Sequence, residues 1–104
     1  MNNGEYEVLD DDGYPTEDFL QSIRDWPYQD GHNALLEHAM KGHIYNNYWT
    51  RSDSNDGNSI WNISTGGWSG NESIIEALRE NEMFWIMCWY QSRRGGHYIF
   101  ECKT

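Results

Sequence analysis

The chain has 104 residues, the length of one domain, and it carries a net charge of −10 at pH 7. This acidic balance excludes the basic surface that sequence-independent binding to duplex nucleic acid requires. Residues 1–30 hold nine of the 17 acidic residues and a single basic residue, Arg24, so the acidity is concentrated in the N-terminal third.

The remaining composition narrows the class of protein further. No apolar stretch approaches the ~20 residues that span a bilayer, and the N-terminus lacks the segments of a secretory signal, so we expect a cytoplasmic protein without a membrane partner. Cys88 and Cys102 are too few for a disulfide framework and are expected to be reduced thiols. The spacing of His32, His38 and His43 does not place them on one helix face, so we expect neither a metal nor a cofactor.

Two helices are predicted in the first half of the chain. Residues 1–13 contain five acids and almost no large apolar residue, which favours a flexible acidic arm before a single domain over 14–104. Helical spacing of apolar residues predicts a first helix from Pro15 to about Trp26 and a second over 32–41. The buried side of the second helix is expected to consist of Ala34, Leu35, Ala39 and Met40.

The second half of the chain predicts a sheet and one further helix. Expected are strands over 43–51 and 59–65, a helix over 71–81, and strands over 83–91 and 97–102. Residues 83–91 are apolar on both faces, which is typical of a central strand. The order α-α-β-β-α-β-β therefore predicts an α+β fold with a four-stranded, mainly antiparallel sheet packed with helices.

The turn before the last predicted helix has two interpretations. Ser69 and Glu72 have the spacing of a capping box, which would make the turn purely structural. Alternatively, the glycines around Trp68 allow a ligand to approach the backbone closely, and the helix N-terminus offers N–H groups to an anion. The exposed face of a tryptophan would add a stacking surface for a base.

A second polar turn, at Arg93 and Arg94, is expected at the same edge of the sheet. The predicted helix runs away from the edge where it begins, and the following strand returns to that edge. Guanidinium groups bind phosphate or carboxylate in bidentate fashion. The predicted binding residues are Gly66, Gly67, Trp68, Ser69, Asn71, Arg93, Arg94 and His97.

The words STGGWSGNE and RRGGHY, within residues 59–104, resemble a family of small uncharacterised proteins encoded by bacteriophages and prophages. The resemblance implies an accessory protein in the cytoplasm of an infected bacterium that acts by stoichiometric binding. One such class sequesters the nucleotide signals of host immunity, and another blocks a host protein directly.

The sequence as a whole favours a protein that binds and sequesters a small anionic, nucleotide-like ligand. Two alternatives remain open. The acidic arm and the tryptophan-rich segments would suit a stoichiometric inhibitor of a host protein, and such apolar segments also leave self-association open. A small phosphodiesterase would require His97, Glu72 and an arginine to act together, but no motif assigns a catalytic residue.

Overall fold

The computed structural model describes residues 6–42 and 49–103. Its elements in chain order are α1 (Glu17–Arg24), a short 3-10 helix (Tyr28–Asp30), α2 (His32–Met40), β1 (Trp49–Asp53), β2 (Ser59–Ser64), α3 (Ser69–Glu80), α4 (Glu82–Cys88), β3 (Trp89–Arg93) and β4 (His97–Cys102). The α+β class and the order of the predicted elements are confirmed, and α4 and the 3-10 helix are additional.

The sheet contains four strands in the order β1-β2-β4-β3, and each neighbouring pair is antiparallel. Alternation along β2 buries Trp61 and Ile63 on the helix side and turns Asn62 and Ser64 to the other face. The predicted strand over 59–65 is thus confirmed. Of the predicted strand over 43–51, residues 43–48 lie outside the described residues, and β1 begins at Trp49.

The two N-terminal helices form where the apolar spacing predicts them. The Thr16 hydroxyl caps α1 by accepting the Phe19 N–H at 3.2 Å, and α1 buries Phe19, Leu20 and Ile23. In α2 the expected buried side is partly wrong. Ala34 is exposed, whereas Leu36 and His32 are buried, because the helix is rotated to place Leu36 beside Leu35 in the core.

Residues 6–13, predicted to belong to a flexible arm, make defined contacts. Leu9 forms a bridge with Pro15, and the Thr16 N–H donates to the Val8 carbonyl at 3.0 Å. Tyr6 and Val8 pack against the core. The division of the chain at residue 13 itself remains a prediction.

The largest departure from the sequence-based expectation lies at residues 82–88, which form helix α4 rather than a central strand. Asn81 starts this helix: its side-chain oxygen accepts the Phe84 N–H at 3.2 Å, and its Nδ2 donates to the carbonyls of Ile23 and Trp26 at 3.0 and 3.3 Å. Strand β3 then begins at Trp89, with a bulge between Trp89 and Gln91, and is exposed along its length at the edge of the sheet.

The core lies between the sheet and the helices. It is closed by the rings of Phe19, Phe84 and Phe100, none of which has exposed surface. Within the described residues, no helix has both the length and the apolar character needed to cross a bilayer.

Candidate functional site

Two surfaces of the molecule could carry function, and the first is the predicted one. We call it the polar edge: the turn Thr65–Glu72 together with the hairpin turn 93–97. The Thr65 N–H donates to the Gly96 carbonyl at 3.0 Å, and the β2–β4–β3 register aligns Ser64, His97 and Arg93. The backbone of the two turns therefore meets at one edge of the sheet, as the antiparallel return predicts.

Thr65 organises the interior of the polar edge. Its hydroxyl donates to Glu72 Oε2 and accepts the Gly67 N–H, both at 3.2 Å, and its carbonyl accepts from Asn71 Nδ2 at 2.9 Å. The expected capping box is wrong: Ser69 is the first helical residue and Trp68 is the N-cap, without a side-chain cap. Glu72 does reach back, but its partner is Thr65, the residue that follows β2.

The glycines of the polar edge have packing reasons. A Cβ at Gly70 would overlap the ring of Trp68, and a Cβ at Gly96 would overlap the Thr65 hydroxyl. At Gly66 and Gly67 the backbone φ angles are +69° and +77°, which only glycine adopts without strain. At Gly70 and Gly96, the groups that approach the backbone closely therefore belong to the protein itself and not to a ligand.

Trp68 and Ser69 face the N-terminal segment. The Trp68 ring is half-buried, with its centroid 4.7 Å from that of Tyr14, and the Ser69 hydroxyl donates to the Tyr14 oxygen at 3.4 Å. One face of the tryptophan is therefore covered by Tyr14. Asn71 is fully buried, and its side-chain amide donates to the Thr65 carbonyl inside the protein. Asn71 therefore has no exposed surface.

His97 and the two arginines lie on the other side of the edge. His97 Nδ1 is 2.7 Å from Ser64 Oγ, and Nε2 is 3.3 Å from Asn62 Oδ1. Because the amide oxygen can only accept, Nε2 is the donor in the contact with Asn62. Arg93 donates to Gln91 at 3.2 Å, and Arg93 and Arg94 are both exposed.

Six of the eight predicted residues therefore divide into two groups. Trp68, Ser69 and Asn71 face the helices and Tyr14, whereas Arg93 and His97 project from the opposite face of the sheet, with Arg94 in the turn beside them. The glycines Gly66 and Gly67 lie between the groups. The structure brings the two backbone turns together but does not turn these side chains toward a common point.

The second surface was missed by the sequence analysis. We call it the α4 face: Met83, Ile86, Met87 and Tyr90, which have 51%, 80%, 44% and 62% of their surface exposed. The first three share one side of α4, and Met87 and Tyr90 line the same shallow cavity. Trp89, 44% exposed, adjoins them. A contiguous group of this kind is typical of an interaction site.

The signal that could have revealed the α4 face lies at residues 81–87. Asn81 followed by Glu82 is a helix start, and Met83, Ile86 and Met87 have the i, i+3, i+4 spacing of one helix face. The opposite side of the helix carries Phe84 and Cys88, both buried. The residues that would be apolar on both faces of the predicted strand are thus divided between an inner and an outer face of α4.

A cavity of about 520 Å³ opens beside the α4 face. It is lined by Tyr28, Gln29, Gly31, His32, Met87, Cys88 and Lys103. His32 Nδ1 lies 3.4 Å from Cys88 Sγ, and burial lowers the pKa of His32. Among the described residues, no group of histidine, cysteine and acidic side chains is arranged to hold a metal ion.

The side of the molecule formed by α1 and α3 is acidic. Glu72, Glu76 and Glu80 line a groove between these helices, and Arg24 bridges Glu17 at 2.6 Å and Glu80 at 2.5 Å. The hydrogen bond to Glu17, reinforced by the one to Glu80, raises the pKa of Arg24. Near the α4 face, by contrast, one acidic and one basic residue, Glu101 and Lys103, line the same cavity as Met87 and Tyr90.

Comparison with known proteins adds no identity. No family model matches the chain, and neither curated proteins nor solved structures show significant similarity to it.

Proposed function

We propose that the protein is a protein-binding module whose α4 face docks on a partner. The observation that carries this proposal is the exposure of Ile86, 80% of whose surface is open to solvent. Ile86 lies on α4, and Phe84 on the other side of the same helix anchors it in the core. Covering exposed apolar side chains of this size with another surface is favourable by about 25 cal/mol for each Å² removed from water.

The shape and charge of the molecule define the partner. Helix α4 is convex, so it fits an apolar groove on the other protein, as amphipathic helices do in groove recognition. The net charge of −10 attracts a partner of positive net charge and repels a second copy of the chain. In the setting that the phage resemblance implies, the partner is a basic protein of the bacterial host and the binding is inhibitory.

A matched pair of variants tests this proposal. Ile86→Asp places a charge at the centre of the α4 face, and Thr50→Asp places the same charge on β1, at the opposite edge of the sheet, where Thr50 is also exposed. Immobilised wild type, Ile86→Asp and Thr50→Asp are incubated with bacterial lysate, and the bound proteins are identified and quantified.

The proposal expects one basic protein that is captured by wild type and by Thr50→Asp, is reduced at least tenfold with Ile86→Asp, and binds more slowly as salt rises. Equal capture by all three variants would contradict it. A dimer in light scattering that Ile86→Asp dissociates would instead show that a second copy covers the face.

A second candidate is the sequestration of a small anionic ligand at the polar edge. The contact between Thr65 and Gly96 is the observation that favours it, since it brings the exposed Arg93 and Arg94 to the edge that contains the glycine turn. The phosphodiesterase alternative has less support, because Glu72 and His97 each have hydrogen-bond partners within the protein.

Calorimetric titration with a cyclic dinucleotide tests the second candidate. Sequestration requires saturable binding that is lost in Arg93→Ala/Arg94→Ala and kept in Lys41→Ala, which removes an exposed cation just after α2. It also requires recovery of the intact nucleotide after denaturation. Absence of heat, or a cleaved product, would eliminate sequestration, and a cleaved product would support catalysis.

A further inference from the structure

Three polar side chains are hydrogen-bonded in a row on the face of the sheet opposite the helices. Ser64 Oγ lies 2.7 Å from His97 Nδ1, and His97 Nε2 lies 3.3 Å from Asn62 Oδ1. Ser64 and Asn62 alternate with buried residues along β2, and His97 on β4 is the register partner of Ser64. All three residues are half-buried rather than enclosed in the core. We call this group the Ser64 cluster.

The contact with Asn62 defines the role of each ring nitrogen of His97. Because His97 Nε2 donates to the Asn62 oxygen, that nitrogen carries a proton. In a neutral imidazole the other nitrogen is then an acceptor. In this form of the ring, His97 Nδ1 accepts the proton of the Ser64 hydroxyl.

A hydroxyl, an imidazole that accepts its proton and a third group that orients the imidazole are the parts of a serine nucleophile site. The 2.7 Å between Ser64 and His97 lies within the range of roughly 2.6–3.2 Å in which a base can take a proton. Compared with the triad of serine proteases, the two ring nitrogens have exchanged roles. Proton transfer is unaffected, because either nitrogen of a neutral imidazole can be the acceptor.

An exposed cation adjoins the Ser64 cluster. Arg93 on β3 is the register partner of His97, so the two side chains lie on the same face of the sheet. Arg93 Nε donates to Gln91 at 3.2 Å, and its Nη groups have no hydrogen-bond partner among the described residues. Two strand spacings, about 10 Å, separate the backbones of Arg93 and Ser64, so the long arginine side chain can reach an ester held at Ser64. A guanidinium N–H there stabilises negative charge on a carbonyl oxygen.

The position of the Ser64 cluster limits the substrate. The cavities beside the α4 face and the groove between α1 and α3 are lined by other residues. The cluster lies on a sheet face, so its substrate is a small molecule that needs only a nucleophile and a cation close together. A small carboxylic ester, with its carbonyl oxygen toward Arg93, meets this requirement.

We propose that Ser64 is the nucleophile of a site that hydrolyses small carboxylic esters, with His97 as the base and Asn62 as the positioning residue. Ser64 Oγ attacks the carbonyl carbon while His97 Nδ1 takes the hydroxyl proton. Arg93 stabilises the negative charge on the carbonyl oxygen. The bond to the alcohol then breaks, the alcohol leaves with the proton from Nδ1, and the acyl group remains on Ser64.

A water molecule completes the reaction. His97 Nδ1 takes one of its protons, and its oxygen attacks the acyl carbon. The bond to Ser64 breaks, Ser64 Oγ recovers the proton from Nδ1, and the acid is released. One ester and one water have then become one alcohol and one acid, and the chain is unchanged. The reaction is independent of protein binding by the α4 face.

Diisopropyl fluorophosphate, which phosphorylates activated serine hydroxyls, tests the nucleophile without any variant. Peptide mapping of the folded wild type should find the phosphoryl group on Ser64. Ser52 is the internal control, because it is exposed on the same sheet face but its register partner is Ile60 instead of a histidine. An unlabelled Ser64, or equal labelling of Ser52, would overturn the proposal.

Hydrolysis of 4-nitrophenyl acetate tests the nucleophile and the base in variants whose thermal unfolding matches the wild type. Ser64→Ala should abolish the catalysed rate, and His97→Gln should reduce it about 100-fold. Ser52→Ala, the same change outside the cluster, should keep the wild-type rate. If Ser64→Ala hydrolyses the ester as fast as the wild type, Ser64 is not the nucleophile and the proposal is wrong.

The same assay separates the roles of Asn62 and Arg93. Asn62→Ala should lower kcat about tenfold with KM unchanged. Asn62→Asp should restore kcat, because its carboxylate accepts the same N–H from His97, and a merely structural asparagine would not give this pattern. Arg93→Ala should lower kcat about 100-fold. An unchanged kcat in both alanine variants would contradict the assigned roles.

Discussion

At the polar edge, side chains with hydrogen-bonding groups are turned toward one another; on the α4 face, large apolar side chains are turned toward solvent. Thr65, Asn71 and Glu72 satisfy their polar groups within the protein, whereas Ile86 and Tyr90 leave most of their surface uncovered. The residues that resemble a binding site by type thus serve the fold, and residues that resemble a core by type form the surface. In this chain, residue type alone does not predict which side chains are buried and which are exposed, because helix α4 divides residues of similar type between the two.

The largest expected effect concerns the two sides of α4. Phe84→Ala removes a fully buried ring 5.1 Å from Phe100 and should destabilise the protein by about 3–5 kcal/mol, whereas Ile86→Ala should cost less than about 0.5 kcal/mol. Urea denaturation of both variants measures the difference. Equal costs would indicate that residues 83–91 are buried on both faces, as a central strand would be.

The next largest expected effect tests whether the side chains of the polar edge stabilise the fold. Asn71→Ala removes the buried amide that donates to the Thr65 carbonyl and should cost about 1–3 kcal/mol. Ser69→Ala, which affects only an exposed hydroxyl and its long contact to Tyr14, is the control and should be nearly neutral. If thermal unfolding shows that Ser69→Ala costs more stability than Asn71→Ala, the structural interpretation of the turn is wrong.

A smaller effect should appear in the pH dependence of stability. Burial lowers the pKa of His32 and, together with Lys41, that of His38, whose Nε2 lies 2.8 Å from Ser22 Oγ. Below pH ~6.5 the unfolded chain binds protons that the folded histidines reject, so stability is lost as the pH falls. The loss is at most about 1.4 kcal/mol per histidine and pH unit.

Urea titrations at pH 7.5 and 5.5 measure this loss. The double variant His32→Gln/His38→Gln should show a flatter dependence between the two pH values than the wild type. A stability that increases toward pH 5.5 in the wild type would contradict the assignment.

The smallest expected effect concerns the exposed arginines. Arg93→Ala and Arg94→Ala should each change the unfolding free energy by less than about 0.5 kcal/mol, because both side chains are solvent-exposed. Thermal unfolding of the two variants checks this expectation. A larger loss would mean that the arginines, like the rest of the polar edge, are used by the fold.

The sequence predicts the sheet and the first helices because their signals are local. Alternation in β2, the Thr16 cap of α1, and the Arg93–Gly96 turn between two strands each follow from a few neighbouring residues. The meeting of the two turns at one edge also follows, because antiparallel return is a property of topology. Each of these features is decided within one or two elements.

The rest depends on contacts that no local pattern contains. Residues 83–88 have the composition of a strand, but Asn81 can cap a new helix because its amide finds one carbonyl in α1 and another just after it. The capping box fails for a similar reason, since Thr65 competes successfully for Glu72. The Cys88–His32 contact joins the end of one helix to the start of another, and only the assembled fold brings them together.

The Asn81 side chain has a further consequence for the opening motions of the molecule. It lies between α3 and α4 and is hydrogen-bonded to the carbonyls of Ile23 and Trp26, so the separation of any one of these segments exposes a polar group of another. The segments should therefore exchange their amide hydrogens as one cooperative unit, with similar protection for α1, α3 and the inner side of α4. Their opening is coupled, and the exposed apolar side chains of α4 therefore lie on a rigid support.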